Sequence, residues 1–297
     1  MYFLYKLFLY SASFVNNTFY NDNINYINHM NSKNLSYELD VNHLIDKPYF
    51  IKMNNFIKRE ECYNCFTEEN KIVPESIDWR KRNAVTQVKN QGNCGSCWSF
   101  STTGSIEGIN SIKNHKLVNV SEQQLIDCST KYGNHGCEGG LMDNAFKYVI
   151  YNNGLCSEED YPYNSQEGNC ESDQCKIVVS IDDYSDIESN NEKILMRAVA
   201  QQPVSVAIQA NLTSFRFYRS GVYQDPDCGN KLDHGVLIVG YGHDLFQSLD
   251  YWIVKNSWTS KWGDEGYIKI LRNYEKYGGD PSGMCGIAIQ PSIPIIN

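Results

Sequence analysis

Gln91-Gly92-Asn93-Cys94-Gly95-Ser96-Cys97-Trp98 carries more information about this chain than any other segment of it. A loop of small residues leads here into residues 98–114, where apolar side chains recur at helical spacing. The spacing predicts a buried helix with Cys97 in its first turn. Unpaired N–H groups and the helix dipole favour a thiolate at that position, and the thiolate is the form of cysteine that attacks a carbonyl carbon.

The segments on either side of this helix change in character along the chain. The capping pattern of Ser121 with Gln124 and the apolar stripe of residues 141–151 predict two further helices. In the second half, short apolar or alternating runs predict strands over residues 204–208, 235–239, 251–254 and 266–271. Helices first and strands second indicate an α+β protein with two unlike halves. If the middle two strands pair antiparallel, His234 and Asn256 meet at one end.

Composition restricts the class of function. The net charge is −9 at pH 7, which argues against nucleic-acid binding because neutralising phosphates requires a basic surface. The 11 cysteines indicate an oxidising compartment and a disulfide framework. Their odd total leaves at least one thiol unpaired within the chain, and a free thiol in a secreted protein is a candidate nucleophile.

Several motifs resemble those of papain-like cysteine proteases, with the cathepsin L-like branch nearest. Cys94-Gly95-Ser96-Cys97-Trp98 matches the family signature around the nucleophile, and His234 lies 137 residues beyond Cys97. The other matching stretches are Val73-Pro74-Glu75-Ser76-Ile77-Asp78-Trp79-Arg80, Leu232-Asp233-His234-Gly235-Val236 and Lys255-Asn256-Ser257-Trp258. The resemblance covers residues 73–297 throughout.

The resemblance implies a papain-like two-domain fold preceded by a propeptide. A mainly helical left domain is expected over roughly residues 73–180 and a β-barrel-like right domain over roughly 181–297. The active-site cleft is expected between them. The family is proteolytic, so the expected activity is that of a cysteine endopeptidase made as a zymogen.

The amino-terminal part resembles a degenerate inhibitory propeptide over residues 16–72. Asn23, Ile27 and Asn31 match the end of the family's interspersed helix motif, and Asp40-x-Asn42-x-Leu44-x-Asp46 matches a second motif with two changes. Residues 60–71 are charged and polar and are interpreted as a linker. Residues 1–15 are apolar and aromatic, which is typical of a secretory signal or an anchor and also compatible with a truncated start.

The catalytic roles follow from the resemblance. Cys97 is expected to be the nucleophile, and His234 its proton donor and acceptor. Asn256 is expected to orient the imidazole, with Trp258 covering their hydrogen bond. Gln91 and the backbone N–H of Cys97 are expected to stabilise the oxyanion.

The substrate groove is also assigned by resemblance. Gly140 is expected to pair with the substrate backbone, and the backbone carbonyl of Asp233 to lie on the other side of the cleaved residue. The pocket for the side chain two residues before the scissile bond is expected to be lined by Leu141, Met142, Ala207, Leu232, Gly235 and Gln290. Because that lining is mostly apolar, we expect Leu, Phe or Val there. The alternative is that these residues only pack the core.

The disulfides implied by the family pattern are Cys94–Cys137, Cys128–Cys170 and Cys228–Cys285. Cys156 and Cys175 remain, and we predict that they form a fourth bridge. Cys62 and Cys65 are candidates to pair with each other, with no assigned role. Thr259 is a departure, since Gly normally follows Asn-Ser-Trp in the family.

Three other functions remain open at this point. The chain could be a non-catalytic papain-like binding protein, a dithiol oxidoreductase using Cys94-x-x-Cys97, or a zinc protein using two Cys-x-x-Cys pairs. The enzyme reading implies protein or peptide substrates, the propeptide as inhibitor and cystatin-type inhibitors as further partners. It implies no cofactor, no metal and a mature monomer. The expected location is a lysosome- or vacuole-like acidic compartment or the outside of the cell, with a membrane-anchored precursor as a variant.

Overall fold

The structure, a computed structural model, describes residues 18–47, 61–67 and 72–297. Its helices are α1 (18–31), α2 (Cys97–Asn114), α3 (Glu122–Cys128), α4 (Met142–Tyr151), α5 (Glu192–Val199) and α6 (Thr213–Arg216). Its strands are β1 (Tyr37–Leu39), β2 (Ile77–Asp78), β3 (Leu155–Cys156), β4 (Ile177–Val179), β5 (Asp183–Asp186), β6 (Val204–Ile208), β7 (Tyr218–Tyr223), β8 (His234–Asp244), β9 (Leu249–Lys255), β10 (Tyr267–Leu271) and β11 (Ser292–Ile295). The longer helices thus come first and the long strands second, which confirms the predicted α+β class.

One nine-stranded sheet dominates the second half of the chain. Its strand order is β1-β7-β10-β9-β8-β6-β11-β5, and β2 pairs with β8 off this path. β3 and β4 form a separate two-stranded sheet beside the helices. In the long hairpin β8 pairs antiparallel with β9, which brings the start of β8 close to the end of β9. This pairing places His234 and Asn256 at the same end of the hairpin.

Helix α2 packs directly against β8, and small side chains on the helix allow that approach. A Cβ on Gly104 would lie 2.7 Å from the Leu237 side chain, so only glycine fits there without a shift. Ser101 donates a hydrogen bond to the Val236 carbonyl at 2.6 Å, which ties helix to strand. The contact fixes the start of α2 next to the start of β8.

The amino-terminal part of the chain docks on the sheet. The predicted helix motif lies in α1, where Asn23 and Ile27 are buried, and β1 pairs antiparallel with β7. Residues 1–17, which include the candidate signal or anchor, lie outside the described residues. Residues 61–67 correct the linker interpretation. Cys62 and Cys65 form a disulfide, and Phe66 makes a parallel bridge with Ile187, just beyond β5.

Candidate active site

Cys97 is the first residue of α2 and its side chain is fully buried. It is the free cysteine of the chain, since the other ten form five disulfides. The backbone N–H of Gly235 donates to its sulfur at 3.2 Å. The sulfur therefore lies against the residue that follows His234, under the positive end of a helix.

His234 and Asn256 meet as the hairpin predicts. The distance between His234 Nε2 and Asn256 Oδ1 is 2.8 Å. The Trp258 ring covers the imidazole, with centroids 4.9 Å apart and planes inclined by 34°. Among the described residues, His234 Nδ1 has no hydrogen-bond partner. The amide thus occupies one ring nitrogen and leaves the other available for proton transfer.

Gln91 is fully buried and its side chain is held at both ends. Its Oε1 accepts hydrogen bonds from Ser257 Oγ at 2.7 Å and Trp258 Nε1 at 3.2 Å. Its Nε2 donates to the Cys94 carbonyl at 3.0 Å, which leaves the second amide hydrogen as a donor. Tyr163 donates to the Gln91 carbonyl at 2.6 Å and fixes the backbone as well.

Burial favours the neutral forms of the two central groups. It raises the pKa of the Cys97 thiol to about 12, although the Gly235 N–H opposes the shift. It lowers the pKa of the His234 imidazole to about 4, against the hydrogen bond with Asn256. Burial therefore favours the neutral thiol and the neutral imidazole in the precursor, because desolvation penalises each charge.

The predicted substrate-pocket residues come together beside Trp98. Met142, Ala207 and Leu232 belong to one buried apolar cluster with Trp98, and Gln290 is buried directly after Ile289 of the same cluster. Ala207 also faces Gly235 across the β6–β8 pairing. Leu141 is half-buried and lies directly before Met142 at the start of α4. Met142, Ala207 and Leu232 therefore pack together in one buried cluster that contains residues of both the helices and the sheet.

Two glycines lie against Trp98 of this cluster, and Asp233 directly follows Leu232 of the same cluster. A Cβ on Gly140 would lie 2.7 Å from the Trp98 ring, and one on Gly235 would lie 3.1 Å from the Trp98 Cα. Asp233 accepts the Ala210 N–H at 2.7 Å through its carboxylate. Burial raises the pKa of this carboxyl to about 6, and backbone N–H groups oppose the shift.

The structure contains the disulfides Cys94–Cys137, Cys128–Cys170, Cys156–Cys175 and Cys228–Cys285. Their presence removes the thiolates that the redox and zinc alternatives require, since Cys94 is bridged away from Cys97. Within the described residues, no group of three or more His, Cys, Asp and Glu side chains is arranged to hold a metal ion.

A buried ionic cluster under the hairpin was not predicted. Lys89 Nζ lies 2.8 Å from Glu107 and 2.6 Å from Glu122, and both carboxylates are almost fully buried. Lys255 Nζ donates to Thr86 at 3.0 Å, beside the same pair. The sequence offers one indication of this cluster, which is Glu107 at a buried position of α2 between Ile106 and Ile109. The cluster supports the backbone that carries Asn256, because Lys255 precedes it.

Thr259 occupies backbone space that favours glycine. Its φ is 67°, which a β-branched residue adopts at a cost, and its N–H donates to the Lys89 carbonyl at 3.1 Å. We predict that Thr259→Gly raises the free energy of unfolding by about 1 kcal/mol, since relief of the left-handed strain exceeds the added chain entropy. Thermal unfolding measures it. The neighbouring Ser260→Gly, which has no positive φ to relieve, should not stabilise; an equal gain there would contradict the explanation.

The fold and this site together define a class. The model of the papain family cysteine protease matches residues 73–295, and the chain therefore belongs to that family. The match confirms the resemblance stated from the sequence motifs.

Individual relatives agree with this assignment. The chain is 45% identical over 290 residues to a probable cysteine protease RD21B of Arabidopsis thaliana, covering 93% of this chain and 60% of the relative. It is 43% identical over 299 residues to a cathepsin L-like protein of Caenorhabditis elegans, covering 97% and 85%. The crystal structure of the ragweed pollen allergen Amb a 11 in its proform superposes with a TM-score of 0.86 at 38% identity, covering 94% and 88%. These likenesses confirm the papain-like fold of a precursor.

Proposed function

We propose that this chain is the zymogen of a papain-like cysteine endopeptidase whose mature part is residues 73–297. The observation that carries the proposal is one free thiol, Cys97, at a helix start, where the N–H of the residue after His234 donates to its sulfur. Asn256 and Trp258 hold the His234 imidazole in place. A non-catalytic binding protein would not require a free thiol and an oriented imidazole at this place. The Arabidopsis thaliana relative and the ragweed pollen allergen are cysteine proteases by name, which supports the same activity.

The mechanism begins with proton transfer from Cys97 to His234. The helix start and the Gly235 N–H stabilise the thiolate, and Asn256 stabilises the imidazolium. In the precursor, burial opposes this ion pair. We infer that water reaching the cleft after removal of residues 16–72 lowers the desolvation cost, so that the thiolate–imidazolium pair forms in the mature enzyme.

The thiolate then attacks the carbonyl carbon of the scissile peptide. Negative charge develops on the carbonyl oxygen, where Gln91 Nε2 and the Cys97 N–H donate hydrogen bonds. The imidazolium gives its proton to the leaving amine, and the C–N bond breaks to leave a thioester on Cys97. His234 then takes a proton from water, the hydroxide attacks the thioester, and the acid product leaves with Cys97 restored.

The substrate groove supports a preference for apolar side chains. We propose that Met142, Ala207 and Leu232, which cluster with Trp98, line the pocket, with Gln290 at its floor. Gly140 has no side chain and would let a substrate backbone add alongside. Asp233 contributes its backbone carbonyl at the opposite side. An apolar side chain two residues before the scissile bond gains free energy by leaving water there.

This preference can be measured directly. For peptides that differ only two residues before the scissile bond, we predict kcat/KM at least about tenfold higher for Leu, Phe or Val than for Asp or Gly, because burial of an apolar side chain contributes roughly 1.5–3 kcal/mol. Profiling purified mature enzyme on a peptide library tests this. Equal cleavage of Leu and Asp peptides would contradict the pocket, and absence of cleavage of every peptide would contradict the proposed function.

The pro-segment is proposed as the enzyme's own inhibitor, and its contacts with β7 and α6 support that role. β1 pairs with β7, and Asn42 donates to the Arg216 carbonyl at 2.9 Å. The Arg216 guanidinium in turn donates to the carbonyls of Leu44 and Lys47. Asn42 and Leu44 belong to the second propeptide motif of the sequence analysis. The two changes in that motif therefore leave these docking contacts in place.

Acidification is expected to weaken this docking through His43. Its Nδ1 is buried without a partner among the described residues. Burial, and then the positive charges of Lys47 and Lys261, lower the pKa of this imidazole. Because docking lowers the pKa of His43, docking favours the neutral imidazole. This contribution to stability is complete above the pKa of a free imidazole, roughly 6.5, and it is lost as the pH falls and the imidazole must take up a proton.

We therefore predict that amides of β1 exchange hydrogen faster, after correction for intrinsic rates, as the pH falls from 7 to 4.5. The inactive Cys97→Ala precursor is the sample, so that proteolysis does not interfere. His43→Gln should flatten this dependence, whereas His29→Gln, at an exposed position of α1, should not. An unchanged pH dependence in His43→Gln would contradict the role of His43.

The compartment and the binding partners of the enzyme are also proposed. Five disulfides support an oxidising compartment, and with the family resemblance we propose an acidic lysosome- or vacuole-like compartment or secretion. None of the helices in the described ranges has both the length and the apolar character to span a bilayer. Cystatin-type inhibitors are proposed partners on the strength of the family resemblance, and the mature enzyme is proposed to act as a monomer.

A further inference from the structure

Residues 61–67, which contain the turn closed by the Cys62–Cys65 disulfide and which we call the clip, make several contacts with β5. Tyr63 N–H donates to the Asp186 carboxylate at 2.6 Å, and Asp186 N–H donates to the Tyr63 carbonyl at 2.9 Å. Phe66 N–H donates to the Asp186 carbonyl at 2.8 Å. The rings of Tyr63 and Tyr184 stack at 4.5 Å. The clip therefore recognises one short strand through backbone and side chain together.

The disulfide determines the shape of this loop. Cys62 and Cys65 close a turn in which Asn64 adopts a φ of 43°, a conformation that asparagine tolerates better than most residues. The turn directs the Asn64 carbonyl to the Ser185 hydroxyl, which donates to it. Without the bridge, the same contacts would have to order a free chain, and that costs conformational entropy.

The clip and β1 dock at opposite edges of the sheet. β1 pairs with β7 at one end of the strand order, and the clip contacts β5 at the other end. The pro-segment is thus attached to the peptidase at two separated places, which makes the clip a second anchor. Two tethered contacts hold more tightly than either alone, because release of one leaves it at high effective concentration.

Access to solvent distinguishes this bridge from those that have a buried cysteine, and it shares that access with Cys128–Cys170. Cys62 is exposed and Cys65 half-buried, and Cys170 is also exposed, whereas Cys156, Cys228 and Cys285 are buried. An exposed disulfide is open to attack by a thiolate, and the rate depends on that access. Reduction proceeds by two exchange steps. A dithiol gives two electrons and two protons, Cys62 and Cys65 become thiols, and the dithiol becomes a disulfide.

We propose that Cys62–Cys65 is a redox-sensitive anchor, and that its reduction by a low-molecular-weight thiol releases residues 61–67 from β5 and speeds conversion of the zymogen. Faster conversion of the zymogen rests on the proposed function. Release of residues 61–67 from β5 rests only on the contacts described above. A reducing signal would then act twice on one chain, by keeping Cys97 as a free thiol and by freeing the second anchor.

Release is tested first in the inactive Cys97→Ala full-length chain. Hydrogen exchange at the Tyr63 and Phe66 amides should be about tenfold faster in the Cys62→Ser/Cys65→Ser variant, since even a short disulfide loop constrains the released chain to about that degree. Glu61→Gln, an exposed change in the same segment, should leave exchange within twofold of the parent. Equal protection with and without the bridge would overturn the proposal.

Selectivity is tested on the same Cys97→Ala chain without mutating the bridge. Under graded dithiothreitol with alkylation and mass analysis, Cys62 and Cys65 should be modified at least tenfold faster than Cys156, Cys228 and Cys285. Loss of protection at Tyr63 and Phe66 should accompany that modification. Reduction of the clip no faster than of the buried bridges would overturn the redox role.

Conversion is tested in the active chain. The Cys62→Ser/Cys65→Ser zymogen should mature about tenfold faster than the parent zymogen at a fixed low thiol concentration, and Glu61→Gln should mature at the parent rate. Equal rates would overturn the regulatory role. If no variant of the chain cleaves any peptide, the proposed function fails, whereas the exchange experiment still decides whether the clip is released.

Discussion

Replacing Cys97 by alanine in the mature enzyme is expected to reduce kcat/KM for peptide hydrolysis by about 10⁴ or more, because removal of a nucleophile abolishes the covalent route. The sulfur lies at the start of α2, with the Gly235 N–H 3.2 Å away, and no other free cysteine exists in the chain to replace it. Steady-state kinetics on an apolar peptide substrate measures the loss. The thermal unfolding midpoint should stay close to that of the parent.

The same variant separates the competing functions. An epoxide-type thiol inactivator should modify the parent on Cys97 and leave Cys97→Ala unmodified. A dithiol oxidoreductase would instead show reductase activity without proteolysis, and a binding protein would show neither. Peptide cleavage that persists in purified Cys97→Ala at more than about a hundredth of the parent rate would contradict the nucleophile, since residual catalysis without it is far smaller.

Gln91→Ala is expected to lower kcat by about 10²–10³ with little change in KM, because the lost N–H donor acts on the oxyanion and not on the bound substrate. The side chain is held by Ser257 and Trp258 through its oxygen, so its nitrogen has a defined direction. Kinetics on the peptide used for Cys97→Ala, with folding checked by thermal unfolding, provides the measurement.

Two matched variants separate donation from structure at this position. Gln91→Glu keeps the acceptor for Ser257 and Trp258 but removes the donor, so its kcat should fall as far as that of Gln91→Ala. Ser257→Ala keeps the amide and removes one of its supports, so its loss should be smaller, about tenfold or less. Near-normal kcat in Gln91→Glu would show that the amide does not stabilise the oxyanion.

The parts of the site that the sequence predicted are those set by local chemistry and short motifs. The helix from Cys97 and the Ser121 cap follow from periodicity and capping, and the Ser121 hydroxyl does accept the Gln124 N–H at 2.9 Å. The second half of the capping box is absent. Gln124 instead contacts Tyr148 and the Cys156 N–H, because packing against α4 and β3 offers it buried partners.

The parts that escaped prediction depend on contacts between distant residues. Nothing local to residues 61–67 indicates that Tyr63 will meet Asp186, because polar composition alone is typical of a linker. The Lys89 cluster escaped for a similar reason, since its charges are separated in sequence and meet only when α2 packs on β8. The papain-like resemblance supplied the positions of His234 and Asn256, and the β8–β9 pairing supplies the physical reason.

The most direct test of Cys97 as the nucleophile is to determine which residue carries the acyl group during turnover. Mature enzyme is mixed with an ester substrate, quenched in acid within one turnover, digested and analysed by mass spectrometry. The account predicts one acyl group per chain, attached to the Cys97 sulfur, and its accumulation should be lost when His234 is replaced by alanine. Hydrolysis that continues at full rate while Cys97 never carries the acyl group, or an acyl group found on another residue, would contradict it.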